Sequence, residues 1–292
     1  MNNIKQIEVI YDNRLVGRLA LTKEGLCAFE YSVEWIGSGF SISPFELPLR
    51  NGVFIAKPRP FEGGFGVFDD CLPDGWGLLI LDRYLQQKGI NPRTLTILDR
   101  LALVGSTGRG ALEFRPDHSV VTRQDYVDFE KLALEAEQIL DSDDYTGEGI
   151  EEFQDRGGSP GGARPKIFVR YDDKEWLVKF RAKRDPQSIG IDEYRYSLLA
   201  KQCGIEMPET RLFEDKYFGV ERFDRTSNGK LHVVSMAGLI GADYRLPSID
   251  YTHIFQVCAM LTHSVAELWK VYRLMAVSYT HLRAHETSLH LV

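Results

Sequence analysis

The run Gly157-Gly158-Ser159-Pro160-Gly161-Gly162-Ala163-Arg164-Pro165-Lys166 has the makings of a phosphate cradle. Glycines without Cβ let successive backbone N–H groups turn inward on phosphate oxygens. Taken alone, the run also reads as a linker or turn, and it follows neither the Walker spacing nor Gly-x-Gly-x-x-Gly. Its setting adds meaning. Two apolar runs of strand length follow, Ile167–Tyr171 and Trp176–Phe180, separated by the polar turn Asp172-Asp173-Lys174. Lys179 on the second run can neutralise phosphate charge, but a side chain swinging on four bonds needs a carboxylate to position it. Glu193 is the candidate, on a helix predicted from near Asp192 to Gly204. It shares a stripe with Ser197 and Ala200, small residues that let a helix sit close to a sheet. The chemistry implied is the holding and transfer of a nucleotide's phosphoryl group.

Thr210–Phe213 and Tyr217–Phe223 read as two further strands, the second running into Val220-Glu221-Arg222-Phe223-Asp224-Arg225. In a kinase-like layout, backbone at such a strand end pairs with the adenine edge, which makes Glu221, Arg222 and Phe223 candidate adenine-binding residues. Read alone, Glu221 and Arg222 are surface charges on an edge strand.

The elements that must position these groups fit within a chain of 292 residues, 43% hydrophobic and 26% charged, enough for one large or two medium domains. No stretch approaches eighteen uninterrupted apolar residues, and the start, Met1 to Gln6, lacks the apolar core of an export signal. Membrane spanning and export are not expected. Cys27, Cys71, Cys203 and Cys258 are widely spaced with no Cys-x-x-Cys, which suits reduced thiols in a cytoplasmic protein. A net charge of −7 argues against direct nucleic-acid binding, which needs a basic patch.

Ile7 to Tyr31 alternates with turn signals and predicts a small antiparallel sheet. Phe61, Phe65 and Phe68 are expected to pack beneath irregular loops. Leu72-Pro73-Asp74-Gly75-Trp76-Gly77 opens a helix to about Lys88, a second helix ends near Val104, and Ala111–Pro116 reads as a strand. Tyr126 to Leu140 predicts an amphipathic helix burying Phe129, Leu132 and Leu140. The acidic, weakly apolar stretch 141–156 reads as a hinge between two lobes, and from Tyr251 the pattern is helical.

Several of these segments resemble signatures of the HipA-type serine/threonine kinases, the toxins of bacterial toxin–antitoxin pairs. They are Leu72 to Gly77, Leu103-Val104-Gly105 followed by Gly110-Ala111-Leu112-Glu113-Phe114, Gly162 to Lys166, and Val220 to Arg225, in family order. The resemblance implies an α+β, two-lobed, protein-kinase-like fold. It divides the chain into an N-terminal subdomain (1–140), an acidic linker (141–156), a nucleotide-binding sheet (157–230), the start of a helical C-terminal lobe (231–276) and a foreign tail (277–292). It further implies ATP and Mg²⁺ as cofactors. Lys179 and Glu193 would be the catalytic pair, Ser159, Gly161, Gly162 and Ala163 the phosphate loop, and Glu221 to Phe223 the adenine seat. Ser159 stands where such kinases phosphorylate themselves. The implied partners are a DNA-binding helix-turn-helix antitoxin and a protein substrate, with aminoacyl-tRNA synthetases associated with related toxins.

After Ala276 the family's Asp-x-His-x-Lys-Asn loop and later metal-binding aspartate do not follow, and no Asp or Asn occurs beyond Asp250. The expectation is a kinase-derived chain truncated before its catalytic loop and inactive as it stands. His281, His285 and His290 in the last stretch lack the glutamate and second ligand set of a zinc site, and no metal site is assigned. The alternatives are a non-catalytic nucleotide- or antitoxin-binding fragment, a small-molecule phosphotransferase on a related scaffold, and a plain interaction protein.

Overall fold

The computed structural model describes residues 4–278 except 121–126, 143–144, 146, 148, 158–161 and 247. Two sheets organise it. In the first, β1 (Gln6–Tyr11), β2 (Arg14–Leu21), β3 (Cys27–Tyr31), β4 (Val53–Ile55) and β5 (Leu112–Arg115) run antiparallel in the order β4-β3-β2-β1-β5. Between β3 and β5 the chain forms α1 (Val33–Ser38), α2 (Gly66–Asp69), α3 (Gly75–Gln87) and α4 (Ile97–Val104). Val9, Val16, Leu19 and Phe29 of the sheet pack with Phe65, Phe68, Leu98 and Leu101 as one core. Phe61 is buried as well.

The second sheet follows α5 (Phe129–Asp141) and α6 (Gly149–Gly157). It contains β6 (Lys166–Tyr171), β7 (Lys174–Lys179), β8 (Thr210–Phe213) and β9 (Tyr217–Glu221), in the order β6-β7-β9-β8, with α7 (Ile189–Gln202) inserted between β7 and β8. The short pair β10 (Arg225–Thr226) and β11 (Gly229–Lys230) comes next, then α8 (Met236–Ile240), α9 (Tyr251–Thr262) and α10 (Val265–Val277). Three hairpins share one turn chemistry. Asp12-Asn13, Asp172-Asp173 and Glu214-Asp215 all have positive φ at both residues, the pairing that matches the right-handed twist of the flanking strands.

The stretch read as an acidic hinge is in part a core helix. Ile150 and Phe153 of α6 are buried, with Phe153 edge-on to Trp76 at 5.0 Å and to Phe180 at 6.1 Å. The acidic side chains concealed a two-residue apolar stripe, which is all that a short helix needs to dock. Phe153→Ala should therefore cost about 3–5 kcal/mol, as a buried aromatic does, whereas a hinge position would change denaturation stability by no more than about 0.5 kcal/mol. Chemical denaturation decides between them. Along α5 the buried residue is Ile139, and Leu140 is 36% exposed, because the helical stripe falls one position earlier than predicted. The helix expected from Asp192 begins at Ile189. Among the described residues no helix is long and apolar enough to cross a membrane.

One packing relation matters for the site. α3 lies in sequence within the first half, yet Trp76 and Ile80 belong to the second core, with Phe129, Phe153, Val178 and Phe180. Its N-terminus is thereby delivered beside the start of β6.

Candidate functional site

Lys179 ends β7 and Glu193 lies one turn into α7. The structure brings them together, Lys179 Nζ donating to Glu193 Oε2 at 2.9 Å. The helix sits close enough because Ser197 and Ala200 are buried against the sheet, Ser197 Oγ meeting Thr210 Oγ1 at 2.9 Å. Gly190 adds to this closeness, since a Cβ there would lie 2.1 Å from the Lys216 carbonyl oxygen. Glu193 has a second cation that sequence reading did not assign. Arg164 Nη1 donates to Glu193 Oε1 at 3.0 Å, and Arg164 also pairs with Asp185. Arg164 was visible only as part of a signature; its reach across to α7 has no local pattern.

The pair stands at the polar corner of a 980 Å³ cavity lined by Tyr196, Ala200, Ile205, Met207 and Phe218, with Trp269 and Leu274 of α10 opposite. This is within the size range, roughly 300–1,000 Å³, of small-molecule sites, and the mixture of apolar wall and few polar groups is typical of them. A smaller cavity of 260 Å³ opens on the other side of Lys179, between α5 and the ends of β7 and β9, and carries Arg164, Arg181 and Lys216.

Glu221, Arg222 and Phe223 line a separate 670 Å³ groove that shares Glu206 and Met207 with the large cavity. β9 is an interior strand, not an edge. Arg222 is accordingly buried rather than a surface charge, held by Asp224 at 2.8 Å and Glu175 at 3.2 Å and stacked over Phe168. Glu221 takes the surface role, pairing with Lys174 at 2.9 Å. The Glu221 and Arg222 amides are spent on the Glu209 and Glu175 carbonyls. Phe223, 61% exposed, makes no backbone hydrogen bond among the described residues, so the strand end offers its backbone there.

Gly162 and Ala163 are described; Ser159 and Gly161 lie outside the described residues, as do residues 279–292 with their three histidines. Gly162 has φ +93°, a conformation that favours glycine. Lys166 was missed as a site residue. It is the cross-strand partner of Lys179, is 4% exposed, and donates to the Gly162 carbonyl at 3.0 Å. Burial, and next the charge of Lys179, push its amine down to about 8. A lysine opening one strand and a lysine closing its hairpin partner is the signal that would have found it.

The carboxylates lining the large cavity, Glu193 and Glu206, pair with Lys179 and Lys270, and among the described residues no group of three or more His, Cys, Asp or Glu side chains is placed to hold a metal ion. Asp250, a late aspartate, accepts from the His253 amide as the cap of α9.

Two family models match the chain. Residues 7–115 match the HipA N-terminal domain, and residues 158–284 match the HipA-like C-terminal domain, a match that runs past Ala276. The fold is similar to a solved complex of the Shewanella oneidensis MR-1 toxin–antitoxin proteins HipA and HipB with operator DNA. The TM-score is 0.64 at 19% identity, covering 93% of this chain and 68% of that one. No curated protein matches the sequence.

Proposed function

The chain belongs to the HipA family, and from that premise we propose that its site binds ATP and serves transfer of the γ-phosphoryl group to a serine or threonine hydroxyl of a protein. The observation that supports this reading is the 2.9 Å Lys179–Glu193 pair at the polar corner of an apolar 980 Å³ cavity. An ammonium group has three donors. Glu193 takes one and fixes the direction of the others, which are then available to phosphate oxygens. The apolar wall around Met207 and Phe218 suits a purine, and the Phe223 backbone, without a hydrogen bond among the described residues, suits its polar edge. ATP supplies the electrophilic phosphorus; the residues described here bind and orient it, and no step is assigned to a metal.

The partner proposed is a DNA-binding helix-turn-helix antitoxin, by likeness to the HipA–HipB complex of Shewanella. Aminoacyl-tRNA synthetases are the protein substrates to try first. Calorimetric titration tests the site: ATP should bind with a dissociation constant in the range of roughly 1 μM to 1 mM, the usual span for enzyme substrates. Absence of saturable binding across that range would reject the assignment.

A second reading, a nucleotide- or antitoxin-binding module without phosphoryl transfer, is favoured by the engagement of both cavity carboxylates in ion pairs. An orienting carboxylate is what the transfer step needs. Incubation with γ-labelled ATP and candidate substrates separates the two, since any label fixed on protein rejects the second.

A further inference from the structure

Asp74 occupies the N-cap of α3, a position where an aspartate ordinarily accepts from its own helix's first amides. Here it makes no such bond. Its Oδ1 instead accepts from the backbone N–H of Gly162, 88 residues away in sequence, at 2.6 Å. The exchange is reciprocal: the Gly162 carbonyl accepts from the Trp76 amide at 3.0 Å, so Gly162 satisfies a donor of α3 while Asp74 satisfies Gly162. Lys166 donates to the same carbonyl at 3.0 Å.

Gly75 makes the approach sterically possible. With φ +45°, it passes so close that a Cβ would lie 2.7 Å from the Gly162 carbonyl carbon and oxygen and 3.0 Å from the Ala163 Cα. α3 itself cannot drift, since Trp76 and Ile80 are set in the second core. Both backbone groups of one glycine are thus held from a helix that begins in the N-terminal half of the chain, and the strand that follows it carries Lys166 opposite Lys179.

We infer that Asp74, Gly75 and Trp76 are positioning residues for the phosphate end of the nucleotide site, a clamp by which the N-terminal half fixes the Gly162–Lys166 arm relative to Lys179. The inference rests on the ATP reading given above. It differs from a purely structural role in being confined to the phosphate end. Weakening the clamp should affect ligands in proportion to their phosphates, and a side chain that still accepts a hydrogen bond should restore it.

The test is to measure binding of adenosine, ADP and ATP to the full chain and to Asp74→Ala and Asp74→Asn, with hydrogen exchange followed on the peptide containing Gly162. Asp74→Ala should lose about tenfold in ATP and ADP affinity, the effect of one charge-assisted hydrogen bond, with adenosine unchanged and exchange at Gly162 faster. Asp74→Asn, whose carbonyl oxygen still accepts from Gly162, should stay within about threefold of the wild type. Gly75→Ala should reproduce the Asp74→Ala pattern. Unchanged ATP affinity in Asp74→Ala, or equal loss for adenosine and ATP, would overturn the clamp while leaving the ATP site standing. A wild-type chain that binds no nucleotide would instead overturn the site and this role with it.

Discussion

Lys179→Ala is expected to weaken ATP binding by about 10- to 100-fold while moving the melting temperature by only a few degrees. The binding loss follows from removing a charged donor that the proposed site aims at phosphate, an interaction worth about 1.5–3 kcal/mol. The small stability effect follows from what remains. Lys179 is 33% exposed, so solvent already screens its pair with Glu193. Glu193 also keeps Arg164 at 3.0 Å and is not left as an uncompensated charge. Glu193→Gln should act in the same direction, and the double variant should fall short of the sum, because one residue works through the other. Calorimetric titration and a thermal melt of the four proteins read both quantities. Affinity retained in Lys179→Ala would remove the lysine from the site.

Asp224→Ala should destabilise the fold by about 3–5 kcal/mol, with a fall in melting temperature of about 10 °C. Asp224 sits between Arg222 and Arg225, at 2.8 and 2.9 Å, with side-chain exposures of 8%, 6% and 14%. Removing the carboxylate leaves two buried guanidinium groups with only the half-exposed Glu175, at 3.2 and 3.6 Å, as counter-charge. It also unties the two halves of the chain. Asp224 Oδ2 accepts from the Gly110 amide at 2.8 Å, and Arg225 donates to the carbonyls of Gly108 and Gly110, both at 2.8 Å.

The pH dependence has a definite sign. Burial alone would raise Asp224, but the hydrogen bond and charge of Arg222, and then the charge of Arg225, overcome it and hold the carboxyl below its usual range. A group depressed in the folded state contributes stability above its unfolded pKa, about 3.9, and loses that contribution as pH falls through the folded value. Wild type and Asp224→Ala should therefore converge in stability in strong acid. A gap that stays constant down to that pH would remove the charge argument.

Much of the fold was legible because short signals carried it. The polar turns gave the hairpins, the alternation gave the strands, and the pair Lys179 and Glu193 could be placed from a strand lysine and a helical stripe of small residues. What could not be read was long-range. Nothing near Arg164 announces that it reaches Glu193, and nothing near Asp74 announces that it leaves its own helix to hold Gly162. The acidic stretch misled because charge count obscured Ile150 and Phe153, whose burial decides the helix. Arg222 misled for a related reason: whether a strand is interior depends on sheet order, which local pattern does not contain.

The most direct test of the central claim, that nucleotide phosphates lie at Lys179, is labelling with an acyl-phosphate derivative of ATP, which transfers its acyl group to a lysine beside the phosphates. Peptide mapping should find the label on Lys179 or its cross-strand neighbour Lys166, and excess ATP should suppress it. Label spread over surface lysines and indifferent to ATP would contradict the account.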